Sequence, residues 1–456
     1  MLRRISGIIS IYRKLPAKLG VYTTSRFSSP PRVPAMTLRR TAAGIFTAAA
    51  LLATASAADW VRFRGPNGTG VVEGNIPLKF TLKDDLVWKT KIPGVGHGSP
   101  IVVKDKVFLQ TSTADQTGRM LMCLDAKTGQ EVWSKQVAGH KQAMHKKNSG
   151  ASSTPASDGE RVFLSVWDGT AVSLMAFDFT GKELWNKPIN KFTGQHGAGH
   201  SPMTHDGMVY FNFDDDVSAK LVAFDAKTGD EKWSQPRKKE RASYTTPFIL
   251  ETSGKPAQLI LGTTTTVDSY NPKTGAVNWT FNVNWAGIKA PLRAIGQPVL
   301  AAGNILTYFG EGGSGRYMVS VKPDGKGDVS GKNTAWESRE KDKTPYVPSM
   351  IVLKDHIYWV NDTGFAACAD AKTGKIVWYE RIFSSGVSAS PILVGDTIFA
   401  IAEDGTAKAF KASPSGLEET GTSKLGEGVY ASPAAAGGKL FIRGMEHLYC
   451  IGLKGS

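Results

Sequence analysis

The sequence predicts an all-β protein, an eight-bladed β-propeller of four-stranded antiparallel blades closed by an N-terminal strand that completes the last blade. Three observations carry this prediction. A Ser/Thr-Pro-like dipeptide opens a short apolar run eight times, with anchors at Pro100, Pro155, Pro202, Pro247, Pro298, Met350 (in place of Pro), Pro391 and Pro433, spaced 41 to 55 residues apart. Most units then close on an Asp-x-Lys-Thr-Gly-like turn followed by a tryptophan. The eighth unit has no tryptophan strand of its own, whereas an unmatched one, Asp85–Thr90, precedes the first anchor.

Each unit reads as four short strands. Proline at the first residue of a strand costs no ladder hydrogen bond, so the anchor opens the first. The second carries an aromatic eight residues after the anchor, at Phe108, Phe163, Tyr210, Tyr358, Phe399 and Phe441, with Leu306 in the fifth unit. A hydrophilic insertion, Glu251–Ala257, interrupts the fourth unit. Apolar residues alternate with a period of two, the strand signature. The third strand runs into the turn: Asp125 to Gly129, Asp178 to Gly181, Asp225 to Gly229, Asn271 to Gly275 and Asp370 to Gly374. Asp or Asn opens such a turn by accepting backbone N–H bonds, and glycine supplies the positive φ. The fourth strand bears the tryptophan: Trp133, Trp185, Trp233, Trp279, Trp336 or Trp378. The seventh unit has lost its tryptophan, and Trp88 completes the eighth. A single small sheet cannot bury both its faces, so such units stack in a ring.

Residues 1–58 read as a leader, leaving 59–456 as the propeller. They hold nine Lys/Arg and no carboxylate, and Met36-Thr-Leu-Arg-Arg, an apolar run to Leu52 and Ala55-Ser56-Ala57 form a secretory signal. Met36 reads as the start, with 1–35 an upstream extension. The expected location is exported, periplasmic or extracellular. No cysteine follows the cleavage signal, so no lipid anchor is expected, and membrane association would come only through partners. Removing the leader lowers the net charge from +15 to +6, which offers little to nucleic acid. Arg237-Lys238-Lys239 reads as solvated loop charge. The cysteines, Cys123, Cys368 and Cys450, have neither disulfide-framework nor metal-site spacing. They occupy a position that is small in every unit (Ala176, Ala223, Ser269, Ser320, Ala409 elsewhere), which reads as packing.

The in-register Asp-x-x-Thr-Gly and Trp motifs, with Trp60-Val-Arg-Phe-Arg-Gly-Pro-Asn-Gly at the start, resemble the PQQ-repeat β-propellers, BamB-like and quinoprotein alcohol dehydrogenase-like proteins among them. The resemblance covers about residues 59–456. It implies that Trp88, Trp133, Trp185, Trp233, Trp279 and Trp378 dock across blade interfaces on the neighbouring turn. It also implies pyrroloquinoline quinone (PQQ) with Ca²⁺ as a conceivable cofactor, but the vicinal Cys-Cys typical of those dehydrogenases is absent.

The loops leading into the innermost strands carry His97, His145, His196, His200 and Arg293, candidate ligands for a cofactor or a small polar molecule at the channel face. Asp214-Asp215-Asp216 reads either as a solvated hairpin tip or as a Ca²⁺ site. No nucleophile elbow, Walker A or H-E-x-x-H motif occurs. The expected function is a monomeric, non-catalytic platform that binds a protein or small polar ligand. The alternative is a quinoprotein dehydrogenase oxidising an alcohol or sugar.

Overall fold

Every anchor opens an innermost strand of two or three residues, from which each blade extends outward through three more antiparallel strands. In a computed structural model, which describes residues 59–453 apart from 289, 290, 313, 314 and 341, this happens eight times. The leader assigned to 1–58 lies outside the described residues. The first blade is Ile101–Val103, Lys106–Ser112, Gly118–Asp125 and Glu131–Ala138. In the eighth, Ala434–Ala436, Lys439–Arg443 and His447–Gly452 come from the end of the chain, and Leu86–Lys91 supplies the outermost strand with Trp88 opposite Cys450. The expected all-β, eight-bladed fold and its closure are borne out.

One row of side chains explains the small residue in each blade. The second-strand aromatic, the small residue and the tryptophan lie side by side, as in Phe108–Cys123–Trp133 and Phe441–Cys450–Trp88. Over so small a neighbour the two rings approach to 5.7–6.4 Å between centroids, an edge-tilted contact that aromatic quadrupoles favour.

The indoles then reach across to the next blade. Trp88, Trp133, Trp185, Trp233, Trp336 and Trp378 donate Nε1–H to the carbonyls of Ala126, Phe179, Ala226, Pro272, Ala371 and Ser413 at 2.8–3.2 Å. A side chain at Gly129 would strike the Trp88 ring, its Cβ lying 2.5 Å from the indole, and φ there is +71°. The turn glycine therefore serves two ends at once, the bend and the docking face. Trp279 departs from this. Its indole donates to Gln258 Oε1 of its own blade at 3.0 Å, because the fifth unit has no Asp-x-Lys-Thr-Gly turn. Gly327–Asp328 instead pairs as an extra parallel strand on the edge beside Trp279.

In the seventh blade Gly421 holds the tryptophan position opposite Ala409. The N-terminal segment fills that space. Lys79 packs where a Gly421 side chain would stand, Phe80 N–H donates to Ser423 Oγ at 2.8 Å, and the Phe80 ring lies 6.4 Å from Phe399.

A belt of hydroxyls surrounds the axis. In six of the eight blades the residue before the anchor donates its backbone N–H to the hydroxyl of its counterpart in the next blade: Ser99 to Thr154, Thr154 to Ser201, Gln297 to Ser349, Ser349 to Ser390, Ser390 to Ser432 and Ser432 to Ser99, at 2.8–3.1 Å. Buried backbone donors need partners, and here the Ser/Thr of the dipeptide supplies them.

Residues Trp60–Val72 plug the axis on the face of the innermost hairpin turns. Trp60 bridges Val102 of the first blade, Val61 accepts from Ser157 of the second, and Val71–Val72 runs parallel to Leu393–Val394 of the seventh. Arg64 is buried and donates to the carbonyls of Gly68, Thr69, Met350 and Pro391 at 2.7–3.1 Å. Asn67 exchanges two bonds with the Ile249 backbone. One segment thus ties blades on all sides of the ring.

Candidate functional site

The opposite face is built by the loops leading into the innermost strands and by the loops between second and third strands. Lys147, ahead of the second blade, pairs with Glu403 of the seventh at 2.5 Å, reaching past the first and eighth blades. Ser388 Oγ donates to the same carboxylate oxygen at 2.6 Å. Beneath this strut His97 stacks on Tyr430, with ring centroids 4.6 Å apart, and its Nδ1–H donates to the Lys147 carbonyl at 3.1 Å. That bond fixes the neutral tautomer, leaving Nε2 buried with no partner among the described residues.

The candidate histidines do not converge on one point. His145 Nδ1 accepts the Lys147 N–H at 3.2 Å, and its ring stacks on His196 at 5.1 Å. His200 is buried among Phe192, Phe211, Phe213 and Tyr244, with Nε2 3.0 Å from the Asp214 carbonyl oxygen. Burial is the main cause that lowers the pKa of His196 and His200. Arg293 is buried and its Nη1 donates to both oxygens of Glu311 at 2.8 and 2.9 Å, while Arg241 pairs with Glu311 Oε2 at 2.7 Å.

For His97, burial above all, with Arg443 nearby, pushes the pKa down to about 4 against the opposing Lys147 bond. The unfolded chain protonates this residue near 6.5, so the unfolded state binds the extra proton first. Stability from this group is therefore complete above pH 6.5 and is lost as pH falls toward 4. Unfolding midpoints of the wild type and His97→Gln should run in parallel above that window and diverge within it, the wild type losing more. Parallel curves throughout would refute the assignment.

Asp214-Asp215-Asp216 is neither a solvated tip nor a Ca²⁺ cage. Asp214 and Asp215 are buried, and the three carboxylates serve different partners. Asp214 pairs with Arg237 at 2.7 Å, Asp215 accepts from Thr193 N–H and Oγ1–H, and Asp216 accepts the Ala242 N–H. Arg237 is likewise no solvated loop charge. Its side chain is 2% exposed, it bonds Asp214, Asp268, Tyr270, Thr263 and Thr266, and nearby charge outweighs burial to raise its pKa. Hydrophilic neighbours in sequence concealed a charge that folds inward to meet two carboxylates.

Among the described residues, one group brings three metal-ligating atoms within 4.8 Å, Glu427, Glu446 and His447. One imidazole with two carboxylates is a donor set that suits Zn²⁺. No local spacing announces the group, because Glu427 joins Glu446 and His447 from a loop 19 residues upstream.

The comparisons with known proteins follow this geometry. The family profile described as outer membrane protein assembly factor BamB matches residues 82–164, 121–380 and 331–443. The chain belongs to the BamB family of PQQ-like propellers. BamB of Burkholderia pseudomallei (strain K96243) is 22% identical over 373 residues, spanning 73% of this chain and 90% of that protein. The crystal structure of BamB from Moraxella catarrhalis superposes with a TM-score of 0.56 at 12% identity, covering 81% of this chain and 98% of that one. Quinohemoprotein alcohol dehydrogenase of Comamonas testosteroni is 27% identical over 148 residues, 30% of this chain and 19% of the enzyme. Its structure superposes with a TM-score of 0.58 at 15% identity, covering 87% and 81% of the two chains. At such identities the superpositions attest the fold.

This BamB-family chain does not present a fit for PQQ with Ca²⁺. PQQ is a tricarboxylate, and three cations of the channel face are already engaged: Lys147 with Glu403, Arg293 with Glu311, and Arg443 with the carbonyls of Gly98 and Gln110. Cys123, Cys368 and Cys450 are buried in three separate blades, where burial raises their thiols to about 12, 11 and 12, so they remain unreactive thiols.

Proposed function

We propose that this BamB-family propeller is an exported, monomeric interaction platform that binds a protein partner through its polar channel face and performs no chemistry. One observation carries the reading. The axis is spanned at both ends, by Trp60–Val72 on one face and by the Lys147–Glu403 strut on the other, which favours a charged docking surface over a deep substrate chamber. The relatives described as outer membrane protein assembly factors support the protein-binding reading, and the secretory pattern of the leader supports a periplasmic or extracellular site of action. The quinoprotein reading draws on the shared fold with an alcohol dehydrogenase.

Two arms of one experiment separate these readings. A photo-crosslinking residue at exposed Lys146 on the channel face should give a discrete protein adduct in the producing cells, and one at exposed Lys104 on the plug face should not. Titration of the purified protein with PQQ and Ca²⁺ should give neither saturable absorbance change nor dye-linked alcohol oxidation. Turnover with PQQ, or the absence of any adduct from Lys146, would overturn the platform reading.

A further inference from the structure

The plug face carries something the platform reading does not use. A cavity of about 560 Å³ opens between the plug and the innermost strands of the third to sixth blades, lined in part by Arg62, Gln297, Val71, Phe248, Leu300 and Val352. That volume falls within the roughly 300–1,000 Å³ of small-molecule sites.

Two polar side chains at its wall are buried and incompletely satisfied. Arg62 is 2% exposed. Its Nη2 donates to the Pro247 carbonyl at 2.7 Å, its Nη1 to the Met203 sulfur at 3.0 Å, and its Nε has no partner among the described residues. A guanidinium has five N–H donors, and thioether sulfur is a weak acceptor. Arg64, seated nearby in the same plug, spends its donors on four carbonyls and is not among the residues lining this cavity. Burial lowers the Arg62 pKa to about 9, and no carboxylate offsets it. Beside it Gln297 is 1% exposed, and its amide donates only one long bond, from Nε2 to the Asn67 carbonyl at 3.4 Å, leaving donor capacity for an acid group. The remaining wall is largely apolar, and Val71 (37% exposed) and Leu300 (42% exposed) leave hydrocarbon facing water.

A buried cation without a counter-charge is costly unless something anionic reaches it. Largely apolar walls with a single guanidinium, and with His205 and exposed Glu251 among the other lining residues, match one acid group better than a polyanion. We propose that this cavity binds an organic monoacid with an apolar body, its carboxylate directed to Arg62 and Gln297 and its hydrocarbon lying between Val71 and Leu300. A fatty acid and the free C-terminus of an apolar peptide share that chemistry.

Calorimetric titration of the purified protein tests this with octanoate, acetyl-Leu-Leu and octanol. At least one acid should bind saturably, and tenfold or more tighter than octanol. Octanoate binding alone indicates a lipid source, acetyl-Leu-Leu alone a peptide source, and both the shared chemistry. Arg62→Met should weaken the acid at least tenfold. Because that change could loosen the plug, Leu300→Glu at the exposed rim serves as a second variant. It should weaken the acid by a similar factor with the thermal midpoint unchanged. Failure of both acids to bind, equal affinity for octanol, or indifference to both variants would overturn the proposal. The channel face is untouched by these variants, so failure here is distinct from failure of the platform reading.

Discussion

Arg64→Met is expected to destabilise the protein by about 4 kcal/mol, because it leaves four carbonyls without their donor and each buried orphan costs about 1–3 kcal/mol. Those carbonyls belong to Gly68, Thr69, Met350 and Pro391, so the change unties the plug from the sixth and seventh blades together. Added apolar burial by methionine offsets only part of the loss. Lysine should not rescue, since one ammonium cannot reproduce a planar fork reaching several acceptors. Urea unfolding followed by tryptophan fluorescence gives the measurement. A loss below about 1 kcal/mol, or full recovery with Arg64→Lys, would show that the plug does not hold the ring.

Arg237→Met is expected to cost about 3–5 kcal/mol, the range for removing one partner of a buried ion pair. The carboxylates of Asp214 and Asp268, 5% and 7% exposed, lose the cation that lies 2.7 and 3.1 Å away. The loss measures abandoned charge more than lost attraction. Adding Asp214→Asn and Asp268→Asn to Arg237→Met should therefore recover much of it. A triple variant no more stable than Arg237→Met alone would refute this account.

What the sequence made legible was whatever repeats. The anchors, the turn glycines and the tryptophans recur in register, so they revealed eight blades and the strand of Trp88 before any coordinates. The docking acceptors were less legible, being backbone carbonyls that carry no residue signature. The missing turn of the fifth unit was visible as a gap in the motif, but the acceptor Trp279 takes in its place, Gln258 of its own blade, belongs to no repeat. Phe80 replaces a tryptophan of the seventh blade from more than 300 residues away, and proximity of that kind leaves no local pattern. The channel face was legible as a set of loops and not as an arrangement. His200 turned inward to aromatic rings, Asp214 turned to Arg237, and Glu427 met His447 across a blade.

The closure of the eighth blade sets an order of events. Leu86–Lys91 can pair only with His447–Gly452, and Phe80 and Arg64 find their partners at Ser423 and Pro391. The N-terminal part of the propeller must therefore wait for the C-terminal part. Contacts at such sequence separation are slow to form, and until they form the third strand of the eighth blade presents an open edge on which another chain can pair. A rotated gene order that begins just after Lys91 and appends Asp59–Lys91 to the far end would make that strand pairing local. Such a permuted chain should refold faster and aggregate less while refolding, with the same ring at the end.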